Sequence, residues 1–351
     1  MKKRAFLFVL LLLFVVVSVS FPRIGDVIAE QNTHVVPDDY GSIQEAIDTA
    51  VVGDTVYVRS GEYHETLVIN KSLSLIGENL DTTIIDGKPP EGYRAIITIL
   101  SDNVSISGFK LLYGSSGIAV GEVKFCTIQG NKIVGTEQGV LFVGTSCSNI
   151  TENYYEQIGL SSAIQLSKSD YNAVTGNHIK SCTEGIQIWY DSCNNTISGN
   201  RLTNCLNYAL SFQYSDCNVI SGNEISTSGF GTAICVSNLN IISNNNYVNN
   251  EVNFVSDSNE SYAMSFGYNV SVNKINKNYW SDYDGTDVDG DDIGDEPYII
   301  NEKNQDNYPL MEPADIQTVP EFSSWVCLVF LLTSLSVMTF KRRLFNYRER
   351  H

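Results

Sequence analysis

One motif recurs through the middle of the chain at an almost constant interval. The line Asn-x-Ile-Ser-Gly-Asn, or a close variant of it, is repeated seven times, and successive copies end 22, 22, 24, 23, 23 and 22 residues apart. A second line, a Gly or Ala followed by alternating apolar residues, keeps step with it. The motif copies end at Phe109, Asn131, Asn153, Asn177, Asn200, Asn223 and Asn245, and the second line starts at Gly117, Gly139, Ala163, Gly185, Ala209 and Ala233.

This period predicts an all-β protein, a right-handed parallel β-helix of single-stranded coils with 22–24 residues per coil. Each coil would add one short strand to each sheet, with Ile, Val and Leu pointing inward and Gly or Asn at the corners. Leucine-rich repeats share the period, but they need leucines at fixed spacing, which this chain lacks. The recurring asparagines are expected to stack as an internal, structural ladder.

The segment 30–60 is predicted to cover the N-terminal end of the β-helix. Ser42 and Glu45 have the spacing of a capping box, which would open a short helix over 42–52. Thr55–Val58 and Leu73–Ile76 alternate as the first rungs would, and the repeats are expected to fill 61–277.

The two ends of the chain have the pattern of membrane-directed segments. Residues 1–29 are basic, then apolar, and end at the small residue Ala29, which predicts a signal peptide or, as the alternative, an uncleaved anchor. After the linker 314–321, the 19 uncharged residues 322–340 are long enough for a transmembrane helix, and the basic tail 341–351 places the body outside. A buried core helix is the alternative reading of 322–340.

The net charge of −18 combines three unlike parts of the chain. The ends carry +3 and +4, whereas residues 30–340 carry −25. Such an acidic body would repel phosphate backbones, so nucleic-acid binding is not expected.

The run from Ser42 to Gly87, the Asn-rich repeats and the segment 278–313 together resemble the NosD-type, pectate-lyase-like β-helix surface proteins of archaea. Val319-Pro-Glu-Phe322, ahead of the apolar run, resembles the PEF-type sorting tail of archaeal surface proteins. The resemblance also implies a copper-related role as one alternative. Because the chain has four His and neither His-x-His nor Met-x-x-Met, a copper site is not expected.

The densest acidic cluster lies near the end of the body. Asp287, Asp289, Asp291 and Asp295 occupy positions 1, 3, 5 and 9 of a loop, the arrangement by which one segment wraps a calcium ion in oxygen ligands. Position 6, commonly Gly, is Asp292, a residue type that tolerates the left-handed conformation. The sequence therefore predicts a structural calcium loop, with a solvated acidic turn or a catalytic metal site as alternatives.

The strands that begin at Ala163, Gly185 and Ala209 are expected to carry an outward patch of amides and aromatic rings. Because such rings stack on sugars and the amides bond their hydroxyl groups, the patch has the chemistry of a glycan groove, with an ordinary hydrated β-helix surface as the alternative interpretation. The patch residues are Gln165, Gln187, Trp189, Tyr190, Gln213 and Tyr214, with Ser211 and Lys168 beside them.

Asp170, Asp191 and Asp216 follow those strands and are expected on neighbouring coils. They are candidate catalytic carboxylates for a polysaccharide lyase or glycoside hydrolase, the alternative function, because hydrolysis needs two carboxyl groups a few ångström apart. Lys168 is the one basic residue near them, so a binding or structural role without turnover is the leading interpretation.

Seven of the eight cysteines lie in the exported body without a C-x-x-C pair, so a zinc site is not expected. Cys182 and Cys205 should stack one coil apart, either as thiols or as a disulfide, and Cys193 and Cys217 should be neighbours. N-glycosylation sequons occur at Asn70, Asn103, Asn149, Asn194, Asn259 and Asn269. Together the features predict a membrane-anchored cell-surface β-helix protein.

Overall fold

The computed structural model describes residues 31–88, 94–256 and 272–316. The predicted signal peptide 1–29, the predicted span 322–340, the basic tail 341–351 and the sequons at Asn259 and Asn269 lie outside these ranges. No helix within the described ranges is long and apolar enough to cross a membrane. All the described strands belong to one compact unit.

Three parallel sheets wind around a common interior in the described chain, and their strands are numbered here along the sequence. Sheet A contains β1 (Thr33–Val36), β2 (Thr55–Val58), β5 (Ser74–Gly77), β8 (Ser105–Ser107), β11 (Thr127–Gln129), β14 (Asn149–Thr151), β17 (Ala173–Thr175), β20 (Thr196–Ser198), β23 (Val219–Ser221), β26 (Ile241–Ser243), β29 (Lys274–Asn276), β31 (Tyr298–Ile299) and β32 (Gln305–Asp306). Sheet B contains β3 (Gly61–Tyr63), β6 (Thr83–Asp86), β9 (Lys110–Leu112), β12 (Lys132–Val134), β15 (Tyr154–Glu156), β18 (His178–Lys180), β21 (Arg201–Thr203), β24 (Glu224–Ser226), β27 (Asn246–Val248) and β30 (Tyr279–Trp280). Sheet C contains β4 (Leu67–Ile69), β7 (Ala95–Ile99), β10 (Ser116–Gly121), β13 (Gln138–Val143), β16 (Ser162–Ser167), β19 (Glu184–Trp189), β22 (Tyr208–Gln213), β25 (Phe230–Cys235) and β28 (Val252–Ser256).

Residues one sequence repeat apart are direct partners on neighbouring strands of these sheets. Ile128, Ile150 and Val174 are direct partners on successive strands of sheet A, and all three are buried. Strands alternate inward and outward residues, so the repeated Ile, Val and Leu fill the interior while polar partners face outward. The predicted all-β parallel β-helix is confirmed.

The N-terminal end differs in detail from the expectation. A single helix, α1 (Ile43–Thr49), is shorter than the predicted 42–52; Ser42 caps it by accepting from the Glu45 N–H at 3.2 Å, and its apolar side is buried. Strand β1 precedes this helix and pairs with β2, so Thr55–Val58 is the second rung of sheet A rather than the first. The period is absent before residue 100, which is why the first rung could not be recognised from the repeat.

The predicted asparagine ladder is present between sheets A and B. The Oδ1 atom of Asn200 accepts from both the backbone N–H of Asn177 at 2.9 Å and its side-chain amide at 3.0 Å, and the same amide of Asn177 donates to Ile150 O at 2.8 Å. These groups are buried, so each bond satisfies a corner amide that water cannot reach. The row runs through Asn131, Asn153, Asn177, Asn200, Asn223, Asn245 and Asn278.

A second buried asparagine row lies between sheets C and A. Asn195 N donates to Asn218 Oδ1 at 2.8 Å, and the side-chain amide of Asn195 reaches Ser169 O at 2.9 Å. Both asparagines of the Asn-x-Ile-Ser-Gly-Asn line are therefore structural. The row contains Asn172, Asn195, Asn218, Asn240, Asn273 and Asn304.

The acidic segment 278–313 continues the coil instead of following it. Strands β30 and β32 extend sheets B and A, and β31 turns back antiparallel to β32. Trp280 is sandwiched between Tyr247, at 4.4 Å between ring centroids, and Tyr298, at 4.3 Å, which closes the interior with apolar surface.

Candidate functional site

The outer face of sheet C carries the predicted patch across adjacent coils. Gln165 is the direct partner of Gln187, and Gln187 of Ser211. Two residues further along the same strands, Trp189 is the direct partner of Gln213. The coil-to-coil distance of about 4.8 Å therefore places these side chains in two rows.

Three aromatic rings lie together where these strands end. The Trp189 and Tyr190 rings meet edge to face with centroids 5.5 Å apart, and Tyr190 stacks against Tyr214 at 6.3 Å with an interplanar angle of 9°. Tyr190 is 48% exposed, and its backbone has a positive φ of 45°. The backbone at this position is fixed by the neighbouring coil, since Lys168 N donates to Tyr190 O at 2.9 Å.

The amides of the patch are less accessible than the sequence suggests. Gln187 is only 6% exposed, and its amide donates to Glu184 Oε2 at 2.7 Å. Gln165 accepts from the amide of Gln138. Burial raises the pKa of Glu184, because the charged carboxylate is separated from water. Sequence reasoning missed Glu184 and Gln138, since both precede the alternating part of their strands.

A buried hydroxyl lies in the same row. Ser211 Oγ is inaccessible to solvent and makes no hydrogen bond with any described residue. Its register position beside Gln187 places it on the outward side of the sheet. A polar atom left unsatisfied in this way has bonding capacity to spare.

The three candidate carboxylates lie on successive coils, as expected, but they do not share one column. Ser169, Ser192 and Ser215 mark the same corner on three successive coils, because Ser169 N donates to Ser192 Oγ and Ser192 N donates to Ser215 Oγ. The coil of β19 has one more residue between the end of its strand and this corner than the coils on either side. The additional residue moves Asp191 out of the column, and Cys193 takes the position between Asp170 and Asp216. Those two carboxylates are therefore two coils apart, about 9.6 Å.

Asp170 and Asp216 also have a structural task. The Asp170 carboxylate accepts from the backbone N–H of Cys193 at 2.7 Å, and that of Asp216 from Asn238 N–H at 2.6 Å. Asp102 does the same for Lys124 at 2.8 Å, far from the patch. The column therefore ties the corner of each coil to the next.

The acidic loop gathers three of its four predicted calcium ligands. Carboxylate oxygens of Asp287, Asp289 and Asp291 lie within 4.8 Å of one another, whereas Asp295 accepts from Val288 N–H at 2.8 Å. Asp292, at position 6, has a φ of 64°, the left-handed conformation that the sequence required. Repulsion, chiefly from Asp291, raises the pKa of Asp289, as expected for crowded carboxylates.

A second group with metal-ligand chemistry was not predicted. Glu62, His64 and Asp86 have ligand atoms within 4.8 Å of one another, and His64 Nδ1 is 3.9 Å from Asp86 Oδ2. The register of β3 with β6 brings Asp86 to His64 from 22 residues away, which sequence spacing alone does not show. One imidazole and two carboxylates lack the thiolate or thioether that a Cu(I) centre uses, so this group does not fit such a centre.

Six cysteines of the described chain are free thiols: Cys126, Cys147, Cys182, Cys193, Cys205 and Cys217. Cys182 and Cys205 are buried, as expected for stacked core residues. Burial raises the pKa of Cys182 to about 11, and burial together with the neighbouring Cys182 raises that of Cys205. Cys147 and Cys217 are exposed.

Four of the six sequons fall on described residues, and their asparagines are all exposed. They are Asn70, Asn103, Asn149 and Asn194.

Comparisons with known proteins agree with the fold. The family described as "Periplasmic copper-binding protein (NosD)" matches residues 29–211 and again 190–285. A protein of the archaeon Methanothermus fervidus named "Cell surface glycoprotein" is 35% identical over 126 residues, which are 35% of this chain and 20% of that protein. The chain thus spans about a fifth of the length of this relative.

Two solved structures illustrate the likeness in three dimensions. PfbA, a surface adhesin of Streptococcus pneumoniae, superposes with a TM-score of 0.57 at 13% identity, over 70% of this chain and 78% of that one. The A-module of mannuronan C-5 epimerase AlgE4 from Azotobacter vinelandii gives 0.47 at 16% identity, over 71% and 88%. At these identities the likeness concerns the fold alone.

Proposed function

The chain belongs to the NosD family, and from this premise we propose that it is a cell-surface β-helix protein that binds a glycan on the outer face of sheet C without turning it over. The proposed topology has the body outside the cell and a single C-terminal span, 322–340, in the plasma membrane. The basic-apolar N-terminal segment, the basic stop after residue 340 and the shared segment with a cell-surface glycoprotein support this location.

The observation that carries the proposal is the aromatic surface of Trp189, Tyr190 and Tyr214. The three rings lie on two neighbouring coils, and the Tyr190 ring is half exposed to solvent. A flat, water-facing ring beside amides is the chemistry that binds a sugar: the ring covers the C–H face and the amide bonds the hydroxyls. Gln213 and Gln165 supply the amides beside the rings.

The hydrogen bonds of the nearby carboxylates support binding without turnover. Asp170 and Asp216 are engaged by backbone N–H groups of the next coil, and Asp191 lies outside their column. A hydrolase or lyase would need an acid and a base on both sides of one bond. Asp170 and Asp216 stabilise corners of the coil instead.

The test uses the full-length chain on a glycan array. Trp189→Ala and Tyr190→Ala should each abolish retention, whereas the control Tyr113→Ala should not. Tyr113 is a matched control because it is also 48% exposed with a positive φ of 57°, but it lies on another face. Retention unchanged in both patch variants would reject this location, and release of unsaturated or reducing ends from the retained glycan would replace binding by catalysis.

We also propose that the loop 287–295 binds a structural calcium ion. Asp287, Asp289 and Asp291 would supply carboxylate oxygens, the ligand type that calcium prefers. The ion would offset the repulsion that the crowded loop now carries. The melting experiment that tests this is given below.

A further inference from the structure

The outer face of sheet B carries one unbroken column of charged and aromatic side chains. The direct partners along this column, one on each successive coil, are Lys110, Lys132, Tyr154, His178, Arg201 and Glu224. Because these residues are 22 to 24 apart in sequence, the column is visible only once the register is known. From Lys110 to Arg201 it extends over four coil steps, about 19 Å.

This column is basic within an acidic protein. The six strands β9, β12, β15, β18, β21 and β24 carry four basic residues, Lys110, Lys132, Lys180 and Arg201, against two acidic ones, Glu156 and Glu224. Residues 30–340 as a whole carry a net −25. A local excess of positive charge is therefore a specific feature of this face.

Lys110 and Lys132 are opposed directly across neighbouring strands. Like charges at such positions destabilise a sheet. Neither ammonium group forms an ion pair with a carboxylate of the described residues, whereas Arg201 is paired with Glu224 at 3.4 Å. An anion placed between the two lysines would remove their repulsion.

Aromatic rings continue the column beyond the lysines. The Lys132 ammonium lies 5.2 Å from the centroid of the Tyr154 ring, and the Tyr154 and His178 rings meet edge to face at 5.0 Å. Two ammonium groups followed by two aromatic rings and a guanidinium group present anion-binding and ring-stacking groups in one line.

We propose that the outer face of sheet B binds an acidic polysaccharide, one chain lying along the column from Lys110 to Arg201. The carboxylate or sulfate groups of such a chain would lie between the ammonium groups, and a sugar ring would cover Tyr154. The column is one residue wide, with Glu156 in the next row, which suits a single extended chain. A membrane surface would meet the acidic flanks as well, and a nucleic acid would need more cations than this row supplies.

This surface is separate from the aromatic patch on sheet C. The two proposals name different residues, faces and ligands, so each can fail without the other. Loss of polyanion binding in a sheet B variant should leave the sheet C interaction unchanged.

The experiment measures binding of the full-length chain to immobilised polygalacturonate and to dextran sulfate, with unmodified dextran as the neutral comparison. The variant Lys110→Gln/Lys132→Gln should lower affinity about tenfold, the factor that two exposed ion pairs supply together. Lys124→Gln/Lys274→Gln removes the same charge from other faces and should stay within about twofold. Affinity of the wild type should fall with added salt.

Three results would overturn the proposal. The wild type could bind neither polyanion, both double variants could weaken binding equally, or double-stranded DNA or anionic lipid vesicles could bind more tightly than the polysaccharides. Thermal melts of both variants distinguish lost binding from lost folding, and the single substitution Lys132→Arg, which keeps the charge, should retain affinity within about twofold.

Discussion

Asp306 takes, on the last rung, the position relative to Asn278 that the next asparagine takes on the preceding rungs of the row from Asn131 to Asn278. Its Oδ2 atom accepts from both the backbone N–H of Asn278 at 2.9 Å and its side-chain amide at 3.1 Å. The same carboxylate accepts from Trp280 Nε1 at 3.2 Å and from the N–H groups of Lys277 and Tyr308, each at 3.0 Å. An amide has one acceptor oxygen, so only a carboxylate satisfies all these donors.

The first prediction follows from this arrangement. Asp306→Ala leaves several buried donors without a partner, so the free energy of unfolding should fall by at least about 3 kcal/mol. Asp306→Asn keeps one acceptor and should lose less. Equilibrium urea unfolding of the full-length chain measures both.

Glu302→Ala, at an exposed position nearby, is the control and should change the free energy of unfolding by less than about 0.5 kcal/mol. Equal stability of Asp306→Ala and the wild type would contradict the role given to the carboxylate.

The second prediction concerns stability at acid pH. Burial by itself raises the pKa of Asp54, but hydrogen bonds from His34, Val51 and Asn32 outweigh it and lower the pKa. A lowered folded-state pKa gives stability that is present above the unfolded value of about 3.9 and is lost as the pH falls toward the folded value. The melting-temperature gap between the wild type and Asp54→Asn should therefore be constant near pH 6 and shrink below about pH 4.

Asp81→Asn is the comparison for this titration, because Asp81 is exposed and makes no side-chain hydrogen bond with a described residue. A gap between wild type and Asp54→Asn that widens on acidification would reverse the sign and refute the assignment.

The third prediction concerns thiol reactivity. Exposed Cys147 and Cys217 should react with iodoacetamide in the native protein, whereas Cys182 and Cys205 should react only after unfolding. The reason is both access and chemistry, since burial raises the pKa of Cys182 to about 11 and leaves almost no thiolate at neutral pH. Peptide mass spectrometry before and after denaturation identifies the modified residues; native labelling of Cys205 would show that the interior opens.

The fourth prediction tests the proposed calcium loop. Millimolar calcium should raise the melting temperature of the full-length chain relative to the same protein in chelator, and Asp287→Asn/Asp289→Asn should remove that rise. Glu62→Gln/Asp86→Asn changes the other group of carboxylates and should leave the calcium-dependent rise in melting temperature unchanged. Identical melts of the wild type with chelator and with calcium would end the proposal.

Much of the fold could be predicted because the spacing of the repeat gives the register of one coil on the next. Asn200 and Asn223 are 23 residues apart and are ladder neighbours, so the period alone places one coil on the next. The first rung, β1, and the last one, β32, lie where the repeat is absent, and both were missed. Asp306 could not be recognised from sequence since it differs from the asparagines that it replaces.

The candidate site was predicted less completely, because it depends on single-residue differences between coils. Trp189, Tyr190 and Tyr214 come together as expected. One additional residue in the coil of β19 displaces Asp191, and no spacing rule shows on which side of the strand such a residue is accommodated. Contacts that join different coils, such as that of His64 with Asp86, need the register itself.

The asparagine rows also make the length of this protein adjustable. Each coil bonds only to the coil before and the coil after it, and the terminal groups, α1 and Asp306, contact only the outermost coils. Adding one consensus coil after Asn245 would therefore move the Tyr190 surface about 4.8 Å farther from residue 316 without rebuilding either end. The β-helix is in this sense a spacer, whose number of turns sets how far its binding faces are held from whatever follows the C-terminal end of the described chain.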